Sequence, residues 1–529
     1  MLESTTPHGK SAFSHSSGPT VIVGGGPSGL LTALKLSFSG ASLISPENLY
    51  LLEASSHLGG RLFFSDPKPL GTDASLQKDG YLSRLALGAP FLGPGWSAWD
   101  PVAQDSFLRH VENHLTPQEK EEWDSVDKSE SSDSFLPPAK CIVFKKESFS
   151  LKNTLKTGGE LFSKKDLERW EQLFLIPELV ETSQGWTPHK WCPDPKTTVG
   201  ESKFWQEVSK ESKTPLWNLM ELVLGMPMDD TPLIQVCRNW KMLLAAESAA
   251  GLAGRVFITK WQRKNGAELF LENCLKNRGV NVLTNALVTH LTQEVTVPNP
   301  IEKGAPKLRL QWSGGSPLGK EDTTGKKGFC SLECERVIWA APLWRSLGIM
   351  PREAWHSQTG KFFSKTNPVS AVFLEVQSAS LESLWNHWEW NPLDRILFPQ
   401  EGVEARVTEA RTLCLMVSMG YEESLQAPAV REGISRMRKA LGRILGPSYQ
   451  KADSPVSLWQ SASQGFKERI ILLPVAKLPV SNPSLSHQQV KGAWKGLFFV
   501  GEGFTWGQHP WENVVESVRQ TCAQLGLDS

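Results

Sequence analysis

The fold of this chain is decided by one short stretch near its N-terminus: Thr20-Val21-Ile22-Val23-Gly24-Gly25-Gly26-Pro27-Ser28-Gly29-Leu30. The four residues before the glycines predict a short strand, and apolar residues at helical spacing after them predict a helix. Leu49–Glu53 predicts a second strand, so the segment forms a β-α-β unit with a right-handed crossover. An α/β fold is therefore expected from residue 19 onward.

The spacing Gly24-x-Gly26-x-x-Gly29 predicts a dinucleotide site, because it lies between a strand and a helix and a carboxylate ends the next strand. Gly24 permits the tight turn, Gly26 lets a pyrophosphate approach the backbone, and Gly29 lets helix and strand pack closely. The helix that begins with Pro27 and Ser28 directs free N–H groups at the phosphates. Glu53 would bind a ribose diol and repel a 2′-phosphate, which disfavours NADP. The alternative is a glycine-rich turn that binds nothing.

Two further segments suit a bound cofactor, although each alone would be an ordinary turn. Gly59-Gly60-Arg61 lets the backbone pass close to a planar or phosphate group, and its arginine can bind a pyrophosphate. Near the C-terminus, a strand over Leu497–Val500 leads into Gly501-Glu502, and a helix is predicted over Trp511–Leu525. A helix N-terminus there would stabilise the anionic edge of a reduced flavin.

These segments together resemble the FAD-dependent amine oxidase superfamily, which includes monoamine oxidases, protoporphyrinogen oxidases and phytoene-type desaturases. The resemblance also includes Val337–Pro342 and covers roughly residues 18–65, 256–345 and 490–529. It implies a Rossmann-type FAD-binding domain with Val288 on the adenine and Glu502 on the ribityl chain. It further implies that N–H groups near Asn513 and Val514 face the flavin pyrimidine.

The sequence departs from this family in two places. The C-terminal helix carries Asn513-Val514 and Ser517-Val518 where small residues are usual, and Pro368–Phe373 lacks the lysine that many amine oxidases place near flavin N5. Lys365 is close in sequence but not clearly in register. The second departure argues against amine oxidation with rapid use of oxygen, and it leaves desaturase-like or protoporphyrinogen-oxidase-like chemistry open.

The predicted organisation is a disordered tail (1–18), an FAD-binding domain (19–84, 256–344 and 490–529) and a discontinuous α+β substrate domain (85–255 and 345–489). Residues 115–138 are charged and rich in Ser, which predicts a solvent loop. A helix is predicted over Ala267–Asn277. Strands predicted over Val280–Thr284 and on to Val288, then over Lys307–Trp312 and Arg336–Ala340, suggest a small meander.

Composition narrows the classes of function. Among 529 residues, Lys+Arg and Asp+Glu both total 56, which argues against a general nucleic-acid binder. No apolar run approaches the ~18–20 residues of a membrane span, so a cytoplasmic protein is expected, with peripheral membrane contact still compatible. Cys330 and Cys334 lack the partners of a zinc site, so reduced thiols and no bound metal are expected.

The expected function is transfer of a hydride from a C–H bond of a hydrophobic or aromatic small molecule to flavin N5. His509 is a candidate general base, although a histidine that caps a turn is the commoner role. Two other classes stay open. One is a flavoprotein isomerase with no net redox, and the other is a non-catalytic binding protein built on a flavin fold.

Overall fold

The structure is a computed structural model, and it describes residues 18–38, 44–60, 64–65, 85–86, 109–128, 141–144, 148–150, 180–182, 185–187, 217–218, 221–222, 267–294, 307–314, 329–342, 348–354, 369–378, 395–407, 413–445, 466–477, 492–501 and 510–526. Residues 1–17 of the predicted tail lie outside these ranges.

The described strands in chain order are β1 (Thr20–Val23), β2 (Leu49–Leu52), β3 (Phe64–Ser65), β4 (Leu85–Ala86), β5 (Cys141–Phe144), β6 (Ser148–Ser150), β7 (Val180–Thr182), β8 (Gly185–Thr187), β9 (Asn281–Leu283), β10 (Leu287–Glu294), β11 (Lys307–Ser313), β12 (Phe329–Cys334), β13 (Arg336–Trp339), β14 (Val369–Ser378), β15 (Arg395–Phe398), β16 (Val403–Val407), β17 (Leu413–Gly420), β18 (Phe466–Lys477) and β19 (Leu497–Phe499). The helices are α1 (Pro27–Phe38), α2 (Pro117–Lys128), α3 (Ala267–Asn277), α4 (Tyr421–Ser424), α5 (Ala427–Leu445) and α6 (Pro510–Gln524).

A five-stranded sheet holds the glycine motif. Its order is β19-β13-β1-β2-β9, and every neighbouring pair is parallel. The central β1 is buried along its whole length, as expected for a parallel strand covered on both faces. From β1, the earlier strands β2 and β9 extend to one side, whereas the later strands β13 and β19 extend to the other. The strand order therefore reverses beside β1, and ligands of open α/β sheets bind at such a point.

Both faces of this sheet are covered. On one face α1, α3 and α6 pack on the sheet in one apolar cluster, which joins Ile22 of β1 to Leu30 of α1 and Val514 of α6. The other face packs against a three-stranded antiparallel meander of order β10-β11-β12, through Val21, Trp312 and other buried residues. Burial of apolar area, at about 25 cal/mol per Å², stabilises both interfaces.

A second sheet has seven strands in the order β18-β14-β17-β16-β15-β5-β6. Its pairs are antiparallel except β15 with β5, which is parallel. The amphipathic helix α5 buries Met437, Ala440 and Leu441 against one face. This α+β element lies within the predicted substrate domain, whose boundaries stay a prediction.

Two predictions of local structure were wrong. The meander exists, but it consists of β10, β11 and β12, while β9 and β13 belong to the parallel sheet. Asn285, with a φ of 56°, ends the apolar run between β9 and β10, so this run is not one strand. The predicted solvent loop 115–138 contains α2 instead. The rest of that range, 129–138, lies outside the described residues.

Helix α2 begins at a capping box. The Thr116 hydroxyl accepts the Glu119 N–H at 3.2 Å, and the Glu119 carboxylate accepts the Thr116 N–H at 2.7 Å. The same carboxylate accepts two hydrogen bonds from Arg278, just past α3, at 3.2 and 2.5 Å. Arg278 also donates to the carbonyl oxygens of His114 and Leu34. One guanidinium thus ties α2 to the C-terminal ends of α1 and α3.

Candidate functional site

The candidate site is the carboxyl edge of the parallel sheet, where strand pairing continues one residue past four strands. The N–H groups involved and their acceptor carbonyls are Gly24 to Leu52 at 2.7 Å, Glu53 to Leu283 at 2.8 Å, Ala340 to Val23 at 2.8 Å and Val500 to Trp339 at 3.0 Å. These bonds place the predicted motifs side by side on one edge, beside the reversal of strand order. Three predicted strands, Leu49–Glu53, Arg336–Ala340 and Leu497–Val500, ended one residue late for this reason, because the ladder continues where strand geometry stops.

Glu53 turns back toward the glycine motif. Its Oε2 accepts the Gly25 N–H at 2.6 Å, and its Oε1 accepts the Ser55 N–H at 2.8 Å. Each carboxylate oxygen carries about two acceptor positions, so each can accept a further bond from a ligand hydroxyl. The side chain is half-buried and fixed by backbone donors from both directions. This geometry suits an acid that binds a diol next to a diphosphate.

The glycines of the motif meet the demands that the spacing predicts. Gly24 has a φ of 107° and would bring a Cβ to 2.7 Å from the Ala341 nitrogen. A Cβ at Gly29 would overlap the Gly24 carbonyl oxygen. At Gly26, by contrast, no heavy atom of the described chain lies within 4 Å of the added Cβ. The motif is therefore tightly packed at its first and third glycines and open at the second.

The second glycine pair closes over the first turn. Gly59 donates its N–H to the Gly25 carbonyl at 2.9 Å, and Gly60, with a φ of 52°, would place a Cβ 3.0 Å from the Gly26 Cα. The side chain of Leu58, the residue before this glycine pair, is buried and packs on Gly25. Arg61 lies outside the described residues, so its predicted contact with a pyrophosphate stays a prediction.

Helix α1 begins at the open glycine. The Leu30 N–H bonds the Gly26 carbonyl at 2.9 Å, which closes the first turn over Pro27, Ser28 and Gly29. The N–H groups of a first turn have no partner within the helix, and proline has none to satisfy. Their direction along the helix axis makes this end a site for negative charge.

The segment that carries Val288 is bonded to the Glu53 loop. Ala286 donates its N–H to the Glu53 carbonyl at 2.8 Å, and Asn285 donates to the Ser55 carbonyl at 2.8 Å. Val288 is buried in the cluster between sheet and meander, and the pairing of β10 with β11 shifts register just after it. Val288 thus lies two residues after Ala286, which bonds the Glu53 carbonyl, and its contact with an adenine stays a prediction.

The C-terminal segment lies on the far side of β13. Gly501 has a φ of 146°, and its N–H bonds the Ser517 hydroxyl at 3.0 Å. Val514 and Val518, where small residues were expected, pack their side chains into the apolar core below α6. The Val514 side chain therefore lies in the core, and a contact of this residue with the flavin stays a prediction. The backbone of Asn513 is helical, whereas Glu502 and His509 lie outside the described residues.

Sequence reasoning missed three groups that form hydrogen bonds at the candidate site. They are the Gly25 N–H, the Ser55 N–H and the Ser517 hydroxyl. The Ser55 contact had no local signal, because turns in which a side chain accepts the N–H two residues on are typical of Asp and Asn rather than Glu. His57 lies in the same loop, and burial lowers its pKa while the nearby Glu53 charge opposes that change. The Ser517 contact joins residues on different elements, and no local pattern signals it.

Cys330 and Cys334 are free thiols, as are Cys274 and Cys522. Burial raises the pKa of Cys334 to about 12, and its Sγ donates to the Leu308 carbonyl. Within the described ranges, no group of three or more His, Cys, Asp or Glu side chains is placed to hold a metal ion. No helix of that part of the chain has the length and apolar character needed to cross a membrane.

Comparison with solved structures identifies the fold. The chain is similar to an oxidoreductase from Methanosarcina mazei, with 14% identity, a TM-score of 0.51 and coverage of 94% of this chain and 99% of that one. It is similar to a putrescine oxidase triple mutant from a redesign of cofactor binding, with 15% identity, a TM-score of 0.52 and coverage of 96% and 98%. A fatty acid isomerase from P. acnes that produces CLA shares 12% identity, with a TM-score of 0.50 and coverage of 97% and 99%.

No protein-family model matches the sequence, and no curated protein matches it. Identities of 12% to 15% establish a shared architecture and no more. The chain has a mixed α/β fold with a parallel sheet, of the kind found in these oxidase and isomerase structures.

Proposed function

We propose that this chain is an FAD-dependent oxidoreductase that holds the ADP half of the cofactor at the carboxyl edge of its parallel sheet. The observation that carries the proposal is the hydrogen bond from the Gly25 N–H to Glu53. It joins the acid at the tip of β2 to the glycine turn at the tip of β1. A dinucleotide needs both together, since its diphosphate and its ribose are adjacent.

The residues present fit this group. The missing Cβ at Gly26 leaves room for a diphosphate beside the first-turn N–H groups of α1, and Pro27, Ser28 and Gly29 line that turn. Glu53 would accept the ribose hydroxyls, and its charge would repel a 2′-phosphate. Gly60 packs on Gly26, so its own backbone faces the same space, where Arg61 would add positive charge.

The flavin half is assigned to the segment beyond β13. In the sequence, Gly501 and Glu502 come one residue after β19, and α6 begins at Pro510, eight residues after Glu502. Glu502 would bond the ribityl chain, and backbone N–H groups near Asn513 and Val514 would meet the pyrimidine edge. With Val288 at the adenine, the FAD-binding domain would comprise 19–84, 256–344 and 490–529.

FAD, when bound, supplies the redox chemistry by accepting a hydride at N5 from a substrate C–H bond. The chain's part is to bind the cofactor, orient a hydrophobic or aromatic small molecule and exclude water. Residues 85–255 and 345–489 would form the substrate domain. His509 follows the flavin segment in sequence and is the candidate base, with a capping role as its alternative.

The test is an absorbance spectrum of the purified chain, followed by titration of the apoprotein with FAD. We expect the spectrum of a bound flavin, and bleaching of it under anaerobic conditions by a member of a panel of amines, porphyrinogens and polyenes. A colourless protein that takes up no FAD would contradict the proposal and support a non-catalytic protein on a flavin fold.

A flavoprotein isomerase without net redox is the second candidate, favoured by the architecture shared with the fatty acid isomerase from P. acnes. The two functions differ in what happens without an electron acceptor. An oxidoreductase substrate bleaches the flavin and leaves it reduced, whereas an isomerase turns over many times with no net change in the spectrum.

A further inference from the structure

Two buried hydroxyl groups on α6 bond the end of β19. The Ser517 Oγ accepts the Gly501 N–H at 3.0 Å and donates to the Val514 carbonyl at 2.9 Å. One turn later, the Thr521 Oγ1 donates to the Phe499 carbonyl at 3.3 Å. Both side chains are 0% exposed. Because residues four apart share one face of a helix, both hydroxyls face the end of β19, where they bond Phe499 and Gly501.

These hydrogen bonds add a constraint that apolar packing between α6 and the sheet does not supply. Apolar packing between α6 and the sheet already comes from Val514, Val518 and Cys522, which belong to the apolar cluster. Polar contacts add direction to that packing, because a hydrogen bond weakens steeply when its angle departs from linearity. The Ser517 bond therefore fixes the orientation of the Gly501 peptide, which apolar contact would leave free to rotate.

The Gly501 peptide is a point where orientation matters. The β13–β19 ladder ends with the Val500 N–H, and the next residue turns with a φ of 146° that side chains disfavour. Glu502 follows at once in the sequence. A rotation of the Gly501 peptide would change the direction in which the chain leaves the sheet edge.

We infer that Ser517 is a positioning residue, which sets the direction of the chain at Gly501 and thereby the fit of the flavin half of FAD. This inference rests on the proposed function. Ser517 acts through the Gly501 N–H. Thr521 supports it at Phe499 one turn away. The ADP half depends on Glu53 and the glycine turn, on the other side of β13, and should not respond to Ser517.

That separation gives the experiment. The affinities of FAD and of ADP alone are measured by calorimetry for the wild-type apoprotein, Ser517→Ala and Thr521→Val. We expect Ser517→Ala to weaken FAD about three- to tenfold, the value of one ordinary hydrogen bond, and to leave ADP unchanged. Thr521→Val, nearly equal in volume, should show the same pattern more weakly and keeps the test valid if Ser517→Ala fails to fold.

Cys522→Ala is the matched control, because it removes a buried atom from the core side of the same helix and should leave both affinities unchanged. Ser517→Cys keeps a weak acceptor at the same position and should recover part of the FAD affinity. Equal weakening of FAD and ADP, or no weakening of either, in Ser517→Ala would overturn the inference alone. A wild-type protein that binds neither FAD nor ADP would overturn the proposed function and this inference with it.

Discussion

The carboxylate of Glu53 and the N–H of Gly25 are joined by a 2.6 Å hydrogen bond, although 28 positions separate them in sequence. The acid is therefore held against the glycine turn before any ligand arrives. A preorganised acceptor costs less to bind, because its rotamer freedom has already been lost in folding.

Replacement of Glu53 should mainly weaken binding of the cofactor. Bonds to a charged acceptor contribute about 1.5–3 kcal/mol each, so we expect Glu53→Gln to weaken FAD and ADP alike by about ten- to a hundredfold. Flavin fluorescence titration measures the affinity for FAD, and calorimetry measures the affinity for ADP. Glu272→Gln, which removes a half-buried acid paired with Lys276, is the control. An unchanged ADP affinity in Glu53→Gln would count against the ribose contact.

The glycines should separate binding from folding. We expect Gly26→Ala to leave the melting temperature of the apoprotein nearly unchanged and to weaken FAD at least tenfold, because its methyl group enters the open space. Gly29→Ala should fail to fold or melt much lower, since its Cβ overlaps the Gly24 carbonyl. Thermal melting of both apoproteins, with FAD titration of Gly26→Ala, checks this. Unimpaired FAD uptake by Gly26→Ala would exclude a diphosphate at that position.

Arg278 should be a large contributor to stability. Its guanidinium bonds Glu119 twice and lies 5.6 Å from the centre of the Phe38 ring. Arg278→Met leaves Glu119 and two carbonyl groups with lost partners, so we expect the free energy of unfolding to fall by about 2–3 kcal/mol. Urea unfolding measures it, with Arg309→Met on an exposed position of β11 as the control. If Arg278→Met lowers the free energy of unfolding no more than the control does, the ion pair contributes little to stability.

The same pair predicts a dependence on pH. Burial alone would raise the pKa of Glu119, but bonds from Arg278 and from the Thr116 N–H outweigh it, so the pKa lies below the ordinary 4.5. A lowered folded-state pKa contributes stability above 4.5, and that contribution is lost as the pH falls through the folded-state value. The stability difference between wild type and Glu119→Gln should therefore be full at neutral pH and shrink below pH 4.5. A constant difference would contradict the shift.

Three thiols should resist alkylation in the native protein. Burial raises the pKa of Cys274 and Cys334 to about 12 and that of Cys522 to about 11, so the reactive thiolate is scarce at neutral pH. Iodoacetamide at pH 7.5, followed by mass spectrometry, should leave these three unmodified and label them fully after unfolding in guanidinium. Rapid native labelling of any of them would show that its cluster opens readily.

Local patterns predicted the β1-α1-β2 unit and helix α3 well. Thr20–Val23 and Ala267–Asn277 have the bounds expected from their apolar spacing. The glycine turn and Glu53 meet as predicted, because a β-α-β unit fixes the carboxyl ends of its strands at one edge. The roles of these residues in binding stay predictions.

What the patterns missed depends on contacts between distant segments. Apolar runs at Asn281–Leu283 and Arg336–Trp339 look like neighbours in a meander, and only the sheet order assigns them to opposite sides of β1. The error in 115–138 had a local remedy, since Thr116 and Glu119 form a capping box that the high charge of the segment obscured. The pairing of β5 with β15 carries no local signal at all.

The central position of β1 has a consequence for biosynthesis. Thr20 pairs with Arg336, and Val337 pairs in turn with Leu497, so the edge of β1 opposite β2 has no partner until much of the chain has left the ribosome. An unpaired edge invites association with other chains, and slow non-local pairing prolongs the exposure. Nascent polypeptide should accordingly depend on chaperones, and a premature stop shortly before β19 should yield aggregates.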